Sequence, residues 1–394
     1  MSNTENTILI LKPQEMCYHL LDTFAEEFGQ ALESFGYTVL YFDLKSEPVQ
    51  MLGKYLSVPV AAIIDMYSGL LGVKDAQSDG YFFDQFHAPV YQFVFDYPLF
   101  IRDKMGAQLQ NYNTLMLDKN HISLVERCFP NIRKAYLLSP TGVACADSEI
   151  DGCWEKRPYD VTFVGTYTDY HVYMDQLSQC TDQVRYLAST YLRNMIDTQM
   201  DQESALDLTL EQLEINVKAE ERYLWVEQLG SMSQCAAAYY RGMIIQTLVE
   251  AGVDVHVYGD SWKNAEYGEN PHLHIHPQMN PADYPAVMSK SKIALNILPW
   301  NKRGISERLF YGLLNGALCI SERNSYIEQL FTDQKELIFY TYSEINKLPD
   351  RIRYYLDHVQ ESSIIAANGQ KCAVQNHTWN KRAEEFVQIL EQEK

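Results

Sequence analysis

The chain has 394 residues, 46% of them hydrophobic, which is enough for two packed domains and too apolar for a disordered chain. Its 52 acidic residues against 32 basic ones leave a net charge of −20, which argues against a nucleic-acid backbone as the main partner. A small anionic ligand remains open, because one pocket can be positive on an acidic protein.

Residues 2–7 are polar and lack the basic region, apolar stretch and cleavage site of a signal peptide. No segment approaches the length of a transmembrane helix. The 8 cysteines are scattered without a Cys-x-x-Cys pair, and several lie in apolar runs, as reduced core thiols do. These features lead us to expect a cytoplasmic protein.

The elements follow in order. Residues 8–11 read as a strand, 18–35 as an amphipathic helix closed by Gly36, and 39–42 as a second strand, together a βαβ unit of Rossmann type. The turn after the first strand, Lys-Pro-Gln-Glu at 12–15, lacks the glycine fingerprint of dinucleotide sites. Further strands are expected at 58–64, 90–95, 114–117 and 135–138, two of them followed by Asp65 and Asp96. Carboxylates at strand ends suit open-sheet sites, and they equally suit helix or turn caps. A linker is expected at 141–157, which is aperiodic and glycine-bearing.

A second series of elements opens with a strand at 161–164. Residues 170–252 are helical by pattern, ending in a helix at 234–250 closed by Gly252. Strands at 253–258 and 272–276 follow, then a helix at 284–291, a strand at 337–339 and a helical tail from 345. The densest signal is at 293–326. An apolar strand stops at Pro299, Ser306 stands as a cap, a helix carries Leu309, Phe310, Leu313 and Leu314, Gly316 ends it, and a buried strand starts at Ala317. A helix starting at the carboxyl end of a parallel strand offers free N–H groups and the positive end of its dipole, the place where open α/β sheets bind phosphate. Glu307 and Arg308 lie in its first turn. The alternative is an ordinary βαβ unit with a solvated Glu-Arg pair.

From about residue 160 to residue 390 the chain resembles the C-terminal half of glycosyltransferases of the GT-B fold, group 1 type, with the nearest likeness to the CgeB-like (spore maturation protein-like) branch. The pieces that carry the resemblance are YDVTFVGT at 159–166, VHVYGD at 255–260, residues 284–298, SERLFYGLLNG at 306–316, residues 352–356, and the late His377-Thr378-Trp379 with Arg382. The first 150 residues match more loosely, mainly through VFDYP at 94–98. The resemblance implies an α/β protein of two Rossmann-like domains facing a cleft. Residues 1–150 would hold the acceptor. Residues 158–375 would hold a nucleoside-diphosphate sugar, with a helical segment at 170–252. A helix in 376–394 would cross back to the first domain.

Under that resemblance each part of the donor has a candidate. Gly165 and Thr166, after the first strand of the second domain, would let phosphates approach the backbone. Tyr258 and Gly259 would line the base. Asn296, polar within an apolar strand, must be hydrogen-bonded. Ser306, Glu307 and Arg308 start the helix, and Lys302 and Arg303 precede it and can offset phosphate charge. Each has a structural alternative: turn glycines, a satisfied strand Asn, a surface ion pair. Asp96 is the first choice for a catalytic base, ahead of His19, Asp65 and His121. Many retaining members carry two glutamates separated by seven residues, and counting back from Gly316 those positions hold Arg303 and Tyr311. The stereochemical outcome therefore does not carry over.

His272, His274 and His276 alternate along one strand and share a face, in a row that suits tetrahedral zinc poorly. No metal or other cofactor is expected, and no nucleic acid. The acceptor is left open among protein, glycan and other surface components. A nucleotide-sugar epimerase and a non-catalytic subunit that recognises an acceptor are the rival readings.

Overall fold

The computed structural model describes residues 6–14, 19–76, 78–145, 153–299 and 301–393. Cys17, residues 146–152 of the expected linker and Trp300 lie outside the described residues.

The central apolar runs become strands buried on both faces, as in β3, β4, β5 and β11, so each sheet must be covered by helices, which favours parallel βαβ winding. The first half contains β1 (Thr7–Leu11), α1 (Leu20–Ser34), β2 (Thr38–Phe42), β3 (Ala62–Asp65), β4 (Val90–Val94), β5 (Tyr112–Met116), α2 (Lys119–Cys128) and β6 (Lys134–Leu137). These strands form a six-stranded parallel sheet in the order β2-β1-β3-β4-β5-β6. Strand β3 begins later than the apolar pattern suggests, because residues 58–61 run outside the sheet and the register with β1 starts at Ala62.

The second half starts with β7 (Tyr159–Val164). A helical block follows, comprising α3 (His171–Ser178), α4 (Asp182–Thr198), α5 (Gln202–Gln212), α6 (Arg222–Gln228) and α7 (Gly230–Glu250). Then come β8 (Val255–Tyr258), β9 (Leu273–His276), α8 (Tyr284–Ser289), β10 (Ser291–Asn296), α9 (Glu307–Leu314), β11 (Leu318–Glu322), α10 (Ile327–Leu330), β12 (Ile338–Tyr340), α11 (Leu348–Asp357), α12 (Val359–Asn376) and α13 (Trp379–Gln392). Its sheet is also six-stranded and parallel, ordered β12-β11-β10-β7-β8-β9. Gly316 ends α9 at φ 69°, a conformation that favours glycine.

Of the contacts that join the halves, two position the site. Helix α13 packs on the first sheet's helix α1: the Trp379 ring lies 5.3 Å from Phe24 and 5.8 Å from Phe28, and Phe386 lies 5.6 Å from Phe28. The second link is an antiparallel bridge between Asp118, just after β5, and Gly304, in the loop after β10. Asp118 Oδ1 accepts from the Asn120 amide (2.7 Å), capping α2, while Oδ2 accepts from the Arg303 amide (2.8 Å). The Lys119 amide donates to the Arg303 carbonyl at 3.1 Å and the Ile305 amide to the Leu117 carbonyl at 3.3 Å. The carboxyl edges of the two sheets therefore face each other. A Cβ on Gly304 would stand 2.3 Å from the Leu117 carbonyl oxygen, so the bridge admits only glycine there. Gly304→Ala is expected to cost about 1–3 kcal/mol through overpacking, read as a fall in the urea midpoint at constant slope.

Two histidines, one buried and one half-buried, couple this fold to pH. His377 packs between the Phe310 and Phe331 rings, at 5.0 and 5.2 Å. Burial, and then the Arg382 cation beside it, push its pKa down to about 4. Burial, and then His274 and His276, push His256 down to about 4. Unfolding returns both toward about 6.5. The unfolded chain therefore binds more protons between these values, and stability falls as pH drops from about 6.5 towards 4. In an NMR titration both imidazoles should remain neutral at pH 5.5; a midpoint above 6 for either would contradict the packing described.

Candidate functional site

The site grows from the end of β7. Gly165 and Thr166 leave that strand, and Tyr258 and Gly259 leave its neighbour β8. Gly259 has φ 140°, where side-chain-bearing residues are strained. Trp262 Nε1 donates to the Gly165 carbonyl (2.7 Å) and the Tyr167 amide to Ser261 Oγ (2.9 Å), which locks the two loops together. Gly165, Thr166, Tyr258 and Gly259 line one cavity of about 90 Å³, with Tyr284 of α8 on one side and Leu20 of α1 on the other. The cavity thus lies between the two halves.

Two arginines close on the same place. Arg308 Nε donates to the Val164 carbonyl, and Arg241 Nη1 to the Thr166 carbonyl, each at 2.7 Å. Their guanidinium carbons stand 5.0 and 5.9 Å from the centre of the Phe163 ring. Neither pairs with a carboxylate among the described residues, and Arg241 Nε is sealed from solvent with nothing to bond. Burial, and then the charge of Arg308, push Arg241 down to about 10, so it remains a cation at neutral pH. The sequence reading missed Arg241. Its signal was a lone cation in the small and apolar run at 235–245.

At the start of α9, Ser306 has N-cap backbone geometry, but its side chain does not cap the helix. Its Oγ instead donates to Asn296 Oδ1 (3.1 Å), whose Nδ2 donates to Ser321 Oγ (2.9 Å). That corrects the expected cap. Asn296 ties β10 to β11 and to the α9 start with both side-chain functions in use, and the first-turn amides of α9 have no side-chain cap. Lys302 does not offset ligand charge either. Its Nζ lies 3.0 Å from Glu322 Oε1, while Glu322 Oε2 accepts from the Leu298 amide (3.1 Å) and the Tyr342 hydroxyl (2.9 Å). Burial raises the Glu322 pKa and Lys302 opposes that rise. Arg303 is exposed, and the structure uses its backbone on Asp118, not its side chain in the cavity. Glu307 is half-buried, and its carboxylate has no partner among the described residues.

In the first half Asp96 is exposed after β4 and accepts from the Tyr67 hydroxyl at 2.8 Å. Asp65 is fully buried, held by the Ser68 amide (2.9 Å), the Ser68 hydroxyl and Gln92 Nε2 (3.0 Å), and burial raises its pKa. It is a structural residue. His121 is buried against Tyr97 (5.2 Å) and lowered by that burial. His19 precedes α1, with Nδ1 3.2 Å from Asp22. The histidine row is filled out by His256, whose Nδ1 lies 2.9 Å from His276 Nε2, and by Asp254, which bonds His272 and His274 at 3.0 Å. Among the described residues no group of these side chains has metal-holding geometry.

Residues 241–388 match a family model described as glycosyl transferase-like. None of the curated proteins compared with the chain matches it. Among solved structures, HepE from Anabaena in complex with UDP and glucose is similar over 98% of this chain and 99% of that one, at TM-score 0.55 and 12% identity. Sucrose-phosphate synthase from Thermosynechococcus elongatus is similar over 98% of each chain, at TM-score 0.56 and 9% identity. An α-glucosyltransferase in complex with UDP matches over 98% of each, at TM-score 0.53 and 10% identity. At such identities the likeness is one of fold, and the fold is GT-B: two Rossmann-like domains across a cleft.

Glu322→Leu would leave Lys302 buried and unpaired. A loss of about 3–5 kcal/mol is expected, measured by denaturant unfolding; a loss below 1 kcal/mol would show that the pair does not anchor the loop.

Proposed function

We propose that this chain is a glycosyltransferase that moves a sugar from a nucleoside-diphosphate sugar to a hydroxyl acceptor. The observation that carries the reading is the pair Arg241 and Arg308, gathered on the end of β7 without a carboxylate, in a chain of net charge −20. Enclosed charge without a counter-ion is costly, and two like charges side by side cost more. A diphosphate answers both. Its oxygens meet the two guanidiniums and the uncapped amides of α9, with Gly165 and Thr166 allowing close approach. The stacking surface of Tyr258 serves the base, and Glu307 accepts from hydroxyls.

The chemistry then needs little more than placement. The acceptor oxygen bonds to the anomeric carbon as the bond from that carbon to the diphosphate oxygen breaks. The acceptor proton passes to Asp96, the exposed carboxylate at the carboxyl end of β4, and the nucleoside diphosphate leaves with its charge held by the two arginines and the helix end. Those groups take the part a divalent ion plays elsewhere, so the reading includes metal independence. The narrower resemblance to the CgeB-like branch, a protein or surface-glycan acceptor and a cytoplasmic location belong to the same proposal. Two neighbours of the same fold hold UDP, which makes UDP-sugars the first donors to try.

Melting temperatures measured with UDP, GDP, ADP and their glucose conjugates, in EDTA, test the reading. A ligand at 100 times its Kd stabilises by about 2.7 kcal/mol. Arg308→Ala and Arg241→Met should remove the shift, and the ligand-free Arg241→Met protein should be no less stable than wild type. Asp96→Asn should keep the shift and lose about 10²–10⁴ in slow donor hydrolysis. Absence of any wild-type shift, or a shift that survives both arginine changes, sinks the reading. A changed sugar on an intact nucleotide would make the protein an isomerase instead.

A further inference from the structure

A trough of about 640 Å³ opens between α2 of the first domain and the helical block of the second. That volume falls in the range of small-molecule sites, about 300–1,000 Å³. The cavity at the end of β7 is separate from it and shares none of its lining residues. Every residue that lines the trough precedes 241, where the family match begins, so the trough is built from what is particular to this chain. Its walls carry charge that is already matched. Arg127 of α2 pairs with Glu203 of α5 across the two domains at 2.5 Å. Arg222, at the start of α6, pairs with Asp207 of α5. Asp201 caps α5 by accepting from the Ser204 amide and hydroxyl, each at 3.0 Å, and takes Asn120 Nδ2 of α2 at 3.4 Å. The side chains of the two ion pairs are between 37% and 54% exposed, and pairs so open add little to folding. Tyr223 of α6 supplies an aromatic ring to the same lining. The Arg102 guanidinium of the first domain lies 4.4 Å from the centre of that ring and is itself held by Glu227 at 3.2 Å.

We propose that this trough binds a neutral, hydroxyl-rich ligand, an oligosaccharide. Charge excludes the other small polar classes. An anion would meet four carboxylates, Asp201, Glu203, Asp207 and Glu220, and two guanidiniums already in use. A cation would find three of the four carboxylates answered. Each matched pair does present a donor edge beside an acceptor edge. Neighbouring sugar hydroxyls, each both donor and acceptor, satisfy such an edge without breaking it. The Tyr223 ring gives the C–H face of a pyranose an apolar surface. The lining comes from both domains and starts at Asn120, two residues past the bridge residue Asp118, so a bound chain of sugars lies beside the bridge. On the transferase reading above, the trough holds the part of a glycan acceptor remote from the reacting hydroxyl. Saccharide binding itself does not depend on that reading.

Saturation-transfer NMR on the full chain tests the site, with neutral trisaccharides of glucose, N-acetylglucosamine, galactose and mannose as probes and spermidine as a cationic control. Wild type should show transfer to at least one trisaccharide. Tyr223→Ala and Asp207→Asn should each weaken that binding about tenfold and keep the wild-type melting shift with UDP. Asp207→Asn, at an exposed position of α5, reads the site independently of any loosening of α6 by Tyr223→Ala. Transfer to none of the trisaccharides, transfer that survives both changes, or binding of spermidine in their place overturns the site, and a UDP shift in the same protein leaves the transferase reading standing. Saccharide binding without any UDP shift keeps the site and removes the transferase reading.

Discussion

Two positive charges at the end of β7 pair with no carboxylate among the described residues, and the site is arranged around that fact. Arg241 arrives on α7 and Arg308 on α9; each donates to a main-chain carbonyl at 2.7 Å, and Arg308 Nη1 reaches the Ile297 carbonyl as well, at 3.5 Å. Carbonyl oxygens and the face of Phe163 soften the cost of enclosing a cation without cancelling its charge. Had either arginine met a carboxylate, the site would be closed to anions. The one cation nearby that does meet one, Lys302, is thereby withdrawn from ligand chemistry and serves to pin the loop after β10 to β11. The difference between Lys302 and the two arginines separates scaffold from site.

The cavity between the domains holds about 90 Å³, whereas ligand sites usually occupy about 300–1,000 Å³. The described conformation therefore leaves little room between the domains at this point. Its walls come from both domains, with Leu20 on α1 lining the same space as Tyr284 and the β7 and β8 loops.

Much of the fold was legible because each of its signals is local. Apolar runs of strand length, the helical period of 309–314 and the glycine at 316 each state a conformation without reference to the rest of the chain. Strand β3 reads too long because Val58 and Val60 continue the apolar pattern, and only the register against β1 shows that pairing begins at Ala62. At the site, local signals ran out. Ser306 has the residue type and position of a capping serine, but a better partner, Asn296, lies across the turn. Lys302 and Arg303 are adjacent cations with opposite fates, decided by Glu322 and Asp118, which lie far away in sequence. Arg241 looked like a helix residue because its importance depends on a carbonyl 75 residues earlier. A polar group's role depends on its partner, and partners of this kind are set by topology and not by spacing.

The bridge between Asp118 and Gly304 has a mechanical implication. The strip that launches α9 is stitched to the opposite lobe two residues before the helix begins, so it belongs to both lobes at once. Rotation of one lobe against the other pulls on the first coil of α9 and tilts the amides that point into the cleft. Whatever turns the first lobe is thereby felt at the amides that open α9, with no separate messenger between the two.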